Sequence, residues 1–232
     1  GIIHLIDGIL MPPSLGEMPE PTIAGIVANN DDFSTLLTAV DDAGLTGALD
    51  DESASLTVFA PNDGAFGPIN TADLLADNAA LTDVLEYHVI DQEIFAEDLA
   101  EGDNTVTTLA GEDLTVTVDG SDIFIEGSKV IQTDIEASNG VIHVLDRTLL
   151  GNQNLANVVQ FTAETEELFG TVGSAGLADA FVNADDWTLF GPNNSTLQNA
   201  DLSGFSASEI EEILKYHVFP DDITSSDDLL QL

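Results

Sequence analysis

TVFAPNDGAF, residues 57–66 of this 232-residue chain, is the stretch that decides how the sequence folds. Residues 55–60 alternate in side-chain character, which predicts a strand. The Pro-Asn-Asp-Gly that follows is typical of a tight turn, and Phe66 is suited to anchor that turn in a core. The chain contains a second version of the block, TLFGPNNSTL, at residues 188–197. A strand and turn that occur twice in one chain predict a repeated module.

Two further repeated blocks set the limits of the modules. LEYHVI at 85–90 returns as LKYHVF at 214–219, and NGVIHVLDRTLL at 139–150 is similar to GIIHLIDGILM at the start of the chain. The proline-rich stretch after that first block predicts a semi-rigid linker. We therefore expect four parts: the closing strand of a preceding module (1–13), a linker (14–20), a complete module (21–150) and the front part of a further module (153–232).

Within the complete module, helical patterns come first and strand patterns follow. The helical patterns cover residues 22–30, 32–43, 71–76 and 78–88. In the second of these, Leu36 and Val40 lie one turn apart, and Gly44 is suited to end the helix. From Asn104 onward, apolar residues alternate in short strands that are separated by glycine-containing turns. Helices followed by an antiparallel β-rich half predict an α+β fold.

The three repeated blocks resemble the signatures of the fasciclin family. The first signature corresponds to residues 57–66, the Tyr-His pair to Tyr87 and His88, and the second signature to NGVIHVLD at 139–146. The resemblance implies a wedge-like module of helices packed on an antiparallel β-sandwich. It also implies secreted or surface-anchored proteins that mediate adhesion and matrix contacts. The later module departs from the first signature within GPNNSTL, so binding by that loop need not be shared by both copies.

The charge of the chain is extreme, with 43 acidic residues against three basic ones and a formal net charge of −40. The acids are dispersed and the apolar fraction is 44%, which argues against a disordered acidic tail. No stretch matches a calcium loop of the D-x-[DN]-x-[DN]-G type. A nucleic-acid mimic stays open, although such a surface repels nucleic acid itself. We expect halophilic adaptation, in which salt screens the acids, and hence a haloarchaeal surface or secreted protein.

Three common features are absent from the sequence. The chain has no cysteine, which excludes disulfide and thiolate chemistry. No run of about 18 apolar residues is present, so no segment is expected to span a membrane. The opening GIIHLIDGILMPP lacks the basic start of a signal peptide, and an export signal is expected outside this sequence.

The histidines are the first candidates for chemistry. His88, His143 and His217 each stand among apolar neighbours at helical or strand spacing. Such histidines are more often core residues with hydrogen-bonded nitrogens than metal ligands. No G-x-S-x-G nucleophile motif or phosphate-binding glycine loop is present. The sequence therefore predicts no metal, no cofactor, no catalytic residue and no enzyme activity.

The two Tyr-His pairs have two interpretations. In some animal fasciclin proteins this region is proposed as a receptor contact, so the resemblance makes Tyr87, His88, Tyr216 and His217 candidate partner contacts. The other interpretation, which we favour, is that each tyrosine anchors a helix-to-strand junction through its ring and hydroxyl.

Two overlapping sequons follow the second copy of the first signature. Asn193 and Asn194 both satisfy the N-x-[ST] rule. Asn193 aligns with the turn residue Asn62, so we predict glycosylation at Asn194.

Together these features favour an extracellular or cell-surface adhesion, matrix or filament protein whose modules act as spacers and docking surfaces. The expected partners are other fasciclin-like modules, copies of the chain itself and cell-surface or matrix components, with no nucleic acid. Because the outer modules are incomplete, we expect a window on a longer array, or neighbouring chains that complete each other. The alternative is a secreted binding protein for a small apolar or carbohydrate ligand held between helices and sheet.

Overall fold

The computed structural model describes residues 20–151, 153–184 and 187–219. We call residues 20–151 the first unit and residues 153–219 the second unit. The predicted closing strand at 1–13, all of the predicted linker except Glu20, and the last residues of the predicted further module lie outside the described residues.

The predicted helices and strands are present in the predicted order, and the structure adds two short elements that the sequence analysis did not predict, a helix at Thr46–Leu49 and a strand at Val89–Ile90. The helices of the first unit are α1 (Ile23–Ala28), α2 (Ser34–Asp42), α3 (Thr46–Leu49), α4 (Thr71–Ala76) and α5 (Asn78–Tyr87). Its strands are β1 (Leu56–Pro61), β2 (Val89–Ile90), β3 (Gly102–Thr107), β4 (Asp113–Asp119), β5 (Asp122–Ile125), β6 (Ser128–Ala137) and β7 (Gly140–Leu145). The second unit contains α6 (Leu155–Phe161), α7 (Glu166–Ser174), α8 (Ala178–Val182), β8 (Thr188–Leu189), α9 (Asn194–Asn199), α10 (Ala207–Lys215) and β9 (Val218–Phe219). The predicted α+β class is confirmed.

Short side chains at the helix ends explain where the helices begin and end. The Thr22 hydroxyl accepts from the Gly25 N–H (3.2 Å) at the start of α1. The Asp77 carboxylate accepts from the Ala80 N–H (3.1 Å) at the start of α5, so both helices have side-chain N-caps. Beyond α2, Gly44 has φ +72°, a left-handed conformation that glycine adopts without strain.

The strands of the first unit form a seven-stranded sheet in the order β2-β1-β7-β6-β5-β4-β3. Most neighbours are antiparallel, as expected, but β1 and β7 run parallel, with Val58 opposite Ile142. Every residue of these two strands is buried, which is typical of strands covered on both faces. We expected antiparallel pairing only and missed this interior parallel pair. The two strands are far apart in the sequence, with helices and the other strands between them, so no local pattern links them.

Strands β1 and β7 separate two hydrophobic cores. Val58 and Ala60 lie in the core that the helices form against one face, which we call the helical core. Phe59, between them, points the other way into a second core, which we call the sheet core. The sheet core also contains Leu114, Val116, Ile123, Ile125, Val130 and Leu145. Because strands from several positions along the sheet share this core, the sheet must curve around it.

Asn139 and Gly140 of the second signature tie the start of β7 to the helices. Asn139 is 2% exposed; its Oδ1 accepts from the Ile23 N–H (2.8 Å) and its Nδ2 donates to the Leu49 carbonyl (2.9 Å). Gly140 lies directly against the backbone of Leu56, so that a Cβ at this position would lie 2.0 Å from the Leu56 oxygen. The Asn-Gly pair therefore sets the distance between α1, α3 and the central strands.

The turn of the first signature holds α2 next to β1. Asn62 Oδ1 accepts from the Ala65 N–H (2.9 Å) within the turn. Asp63 accepts from the Thr35 N–H (2.8 Å) and from the Ser34 hydroxyl (2.6 Å) at the start of α2. The Ser34 hydrogen bond, the largest cause, holds the pKa of Asp63 below its usual range. The block at 57–66 is therefore a structural clamp between strand and helix.

The second unit repeats the front of the first. Asn154 caps α6 by accepting from the Asn157 N–H (2.9 Å), as Thr22 caps α1. Strands β8 and β9 pair antiparallel, as β1 and β2 do. The helices of this unit pack around a third core, in which the buried Phe181 meets Trp187 edge to face at 6.3 Å.

Candidate functional site

His88 joins the end of α5 to the segment that follows β7. Its Nδ1 donates to the Val84 carbonyl (2.7 Å), and its Nε2 accepts from the Leu149 N–H (3.0 Å). A carbonyl can only accept and an amide can only donate, so this pair of bonds fixes the neutral Nδ1–H tautomer. His88 is 2% exposed, and burial lowers its pKa to about 4, against the opposing effect of the Val84 hydrogen bond. The predicted core position of His88 is confirmed.

Tyr87 packs its ring against the chain where the first unit ends. It is 7% exposed, and a Cβ on Gly151 would lie 2.9 Å from the ring carbon Cγ. Burial is the main cause that raises the pKa of Tyr87 to about 12, with Glu126 and Glu112 adding to it. The phenol therefore stays protonated, and the ring is placed as the anchor of a helix-to-strand junction.

In the second copy of the motif the described residues end at Phe219, before the positions that correspond to the segment packed on Tyr87. Tyr216 is 92% exposed, whereas its counterpart Tyr87 is buried. His217 is half-buried, and its Nδ1 donates to the Ile213 carbonyl (2.8 Å), as His88 does to Val84. Among the four candidate contact residues, Tyr216 is the one whose side chain faces solvent.

His143 holds the bulge of β6 against the loop before β3. Strand β6 shifts register near Asp134, a non-glycine residue with φ +56°. The Asp134 N–H donates to His143 Nδ1 (3.3 Å), and His143 Nε2 donates to the Ile94 carbonyl (2.9 Å). The ring also stacks on Phe59 at 5.8 Å. Burial, the largest cause, lowers the pKa of His143, so this histidine is also a neutral structural residue, as the sequence predicts.

We expect His88 to make the fold less stable as the pH falls from about 6.5 toward about 4. In an unfolded chain histidine has a pKa of about 6.5, and His88 in the fold has a pKa of about 4. The unfolded chain therefore binds the proton first. The stability from neutral His88 is complete above about pH 6.5 and is lost through this window. A shift of this size corresponds to about 3 kcal/mol of unfolding free energy.

Urea unfolding at constant high NaCl concentration measures this effect. The free energy of unfolding of His88→Gln should depend less steeply on pH than that of the wild type between about pH 6.5 and 4. His217→Gln, at the half-buried counterpart, is the matched control and should follow the wild-type curve. Subtracting the curves removes the carboxylate titration that all three proteins share. Parallel curves for wild type and His88→Gln would contradict the assignment.

The described residues contain no cluster of three or more His, Asp or Glu side chains that could hold a metal ion. In the same part of the chain, every buried side-chain nitrogen and oxygen has a hydrogen-bond partner. No helix in the described ranges is both long and apolar enough to cross a membrane. His88 and His143 instead form hydrogen bonds with backbone groups of segments that are distant in the sequence, at Leu149 and Ile94.

A direct joint connects the two units. The Asn70 N–H donates to the Phe161 carbonyl (2.6 Å), and the Ala163 N–H donates to the Pro68 carbonyl (3.0 Å). These bonds form an antiparallel bridge between Ile69 and Thr162. The Phe161 side chain is 0% exposed and belongs to the helical core of the first unit, although it ends α6 of the second. We call these residues, 68–70 and 161–163, the joint.

Sequence analysis missed the joint, although a signal was present. Leu155 and Ala156 of α6 align with Ile23 and Ala24 of α1 in the sequence repeat. Phe161 therefore occupies the position that is equivalent to Asn29. A large apolar residue where the repeat has an amide side chain indicates a contact that one copy makes and the other does not. At this point in α1, Asn29 instead donates from its Nδ2 to the Gly25 carbonyl within its own helix (2.7 Å).

Asn194, the predicted glycosylation site, uses its side chain within the second unit. Its Nδ2 donates to the Ala163 carbonyl (2.9 Å), and its Oδ1 accepts from the Glu167 N–H (2.9 Å). A glycan would be attached at Nδ2, where it would replace one of the two hydrogens next to the contact with Ala163. Asn193 is exposed and caps α9 through its Oδ1. Glycosylation at Asn194 stays a prediction.

Comparison with known proteins shows the family of the chain. The chain matches the Fasciclin domain over residues 31–151 and 163–231, and it therefore belongs to the Fasciclin domain family. Protein sll1483 of Synechocystis sp. is 42% identical over 134 residues, which are 56% of this chain and 73% of that protein.

Two animal proteins are similar over more of the chain. Human periostin is 26% identical over 223 residues, or 94% of this chain, and the chain spans only 26% of periostin. Among solved structures, a FAS1 domain pair from the insect cell adhesion molecule fasciclin I matches 79% of this chain and 71% of its own length. That match has 20% sequence identity and a TM-score of 0.42.

Proposed function

We propose that this chain is part of an extracellular adhesion or surface-filament protein of a halophile, in which tandem fasciclin modules act as spacers and docking surfaces. The proposal assigns 21–150 to a complete module and 153–232 to the front of another. Residues 1–13 and 14–20 are then the closing strand of a preceding module and a linker. Family membership supports the general role, because the fasciclin resemblance implies secreted or surface-anchored adhesion proteins.

The joint is the observation that carries the proposal. A linker alone would let two modules move independently. Here two backbone hydrogen bonds and the buried Phe161 attach the second unit to residues 68–70 of the first. Burying a phenylalanine side chain contributes about 1.5–3 kcal/mol, enough to favour one relative arrangement. A protein that must hold docking surfaces at set distances needs this property, whereas a single-module binding protein does not.

The charge supports a halophilic, haloarchaeal setting. With 43 acidic and three basic residues, almost every carboxylate must do without a basic partner. The ion pairs in the described ranges are Lys129 with Asp122 (2.9 Å) and Lys215 with Glu211 (2.5 Å). The charge of the remaining acids is stabilised by hydrogen bonds, water and salt cations.

The partners in this proposal are other fasciclin-like modules, further copies of the chain, and cell-surface or matrix components. The candidate partner contacts of the Tyr-His motif are Tyr87, His88, Tyr216 and His217. Tyr87 and His88 are buried, and a direct contact there would require α5 to separate from the end of the first unit.

The experiment measures distances between spin labels on the two units. Because the chain has no cysteine, Thr82→Cys in the first unit and Ser174→Cys in the second give labels at defined positions. We expect one narrow distance distribution in the wild-type background at high salt. Phe161→Ala should broaden it, because it empties a buried site at the joint and costs about 3 kcal/mol or more.

Phe169→Ala is the matched control, since Phe169 is a partly exposed phenylalanine in α7. It should leave the distribution narrow. A broad distribution in the wild-type background would mean that the units move independently. The spacer function would then be wrong, even if both units are folded.

A further inference from the structure

An apolar cavity of about 110 Å³ lies between the helices and the sheet of the first unit. It is lined by α1, α2, α3 and α5 on one side and by β1 and β2 on the other. Its buried floor consists of Leu36, Val40, Leu49, Val58, Leu85 and Val89. Its mouth lies at Ala48, which is exposed, and at Leu109, which is 44% exposed. The cavity is therefore reached from solvent and is apolar to its floor.

The wall of the cavity offers almost nothing to a water molecule. The lining residues are apolar except for His88 and Glu86. Both ring nitrogens of His88 are already used, one by the Val84 carbonyl and the other by the Leu149 N–H. A buried water needs about two to four polar partners. An apolar cavity without them stays dry and accepts apolar molecules.

The charge at the mouth selects among apolar ligands. Glu86 is half-buried beside the opening, and the whole chain carries a net charge of −40. A ligand with a carboxylate or phosphate would place like charges close together in a partly desolvated site, which is unfavourable. Fatty acids and other anionic amphiphiles are therefore disfavoured, and neutral molecules are not.

We propose that this cavity is a binding site for a small, neutral, apolar molecule, about the size of one aromatic ring or one branched alkyl group. A cavity of about 150 Å³ lined by Leu, Ile and Phe takes benzene in another protein. The volume of about 110 Å³ found here sets a similar upper limit. No residue of the joint lines the cavity. A failure of the ligand-site proposal would therefore leave the spacer function unaffected, and the reverse also holds.

Benzene is the probe, titrated into the whole chain at about 3 M NaCl, where the acidic surface is screened. Methyl NMR signals of Val40, Val58 and Leu85 should shift and saturate, while methyl signals of the second unit stay unchanged. Benzoate should bind at least about tenfold more weakly, because its carboxylate meets Glu86. Glu86→Gln should recover part of this loss.

Replacing either of two alanines by phenylalanine tests the position of the site. Ala48→Phe places a large ring at the mouth and should weaken benzene binding by about tenfold or more. Ala79→Phe adds the same ring at an exposed alanine of α5 that does not line the cavity, and it should bind benzene as the wild type does. Three results would overturn the site: methyl shifts that do not saturate, equal binding by both variants, or benzoate binding as tight as benzene.

Discussion

We expect the chain to lose its far-UV circular dichroism and its cooperative melting transition on transfer from about 3 M to about 0.05 M NaCl. The chain carries 43 acidic residues and three basic ones, and in dilute salt the repulsion among the acids opposes the compact state. The Debye length grows from less than about 3 Å to more than about 10 Å over this range. A loss of several kcal/mol would lower the melting temperature by on the order of 10 °C or more.

Concentrated salt also strengthens apolar burial, so a charge variant must separate the two effects. Five exposed acids of the first unit make no hydrogen bond or ion pair that stabilises the fold: Glu52, Asp83, Asp91, Glu93 and Glu97. Replacing them by Gln or Asn leaves the cores unchanged and removes part of the repulsion. This variant should keep its fold to lower NaCl than the wild type. If the wild type melts at the same temperature at both salt concentrations, halophilic adaptation is wrong.

The second large effect concerns Gly140, where Ala should destabilise the first unit by more than about 4 kcal/mol and prevent stable folding. Gly140 has φ +148°, a conformation that is strained for residues with a Cβ. The new Cβ would lie 2.0 Å from the Leu56 oxygen, and the obstacle is backbone of the central strand β1. Relief would require β1 and β7 to separate, which would open both cores.

Two other glycines calibrate this measurement by urea unfolding. Gly44 has φ +72° and no atom within 4 Å of a built Cβ, so Gly44→Ala should cost only the strain of about 1–2 kcal/mol. Gly47, inside α3, also has open space and no positive φ, and Gly47→Ala should be neutral or stabilising by up to about 1 kcal/mol. A Gly140→Ala protein as stable as Gly44→Ala would show that β1 and β7 can adjust.

Local patterns in the sequence were sufficient for most elements of the first unit, but not for the short α3 and β2. The spacing of Leu81, Val84 and Leu85 predicts α5 and places His88 on its buried side, as observed. The parallel pairing of β1 with β7 could not be predicted in this way. Its partners are distant in the chain, and only the burial of both faces, which no alternating pattern shows, marks them as central strands.

The candidate site could be predicted only in part for a similar reason. Apolar neighbours place His88 and His143 in the cores, but their hydrogen-bond partners, Leu149 and Ile94, belong to segments that meet only in the folded chain. The apolar cavity likewise arises from how α1, α2, α3 and α5 are set over β1 and β2. No residue type or spacing in the sequence predicts a cavity between helices and strands.

The hydrogen bonds around Asn139 also decide how the first unit bears mechanical tension. Ser138 N–H donates to the Pro21 carbonyl (3.0 Å) and Ile23 N–H donates to Asn139 (2.8 Å), so the chain enters beside the start of β7. It leaves beyond the other end of this six-residue strand, about 20 Å away. A pull on both ends therefore runs along β7, and its ladders with β1 and β6 must shear together instead of opening bond by bond. The helices after α1 lie outside this force path, so in the proposed array a stretched first unit would keep their packing until β7 separates from β1 and β6.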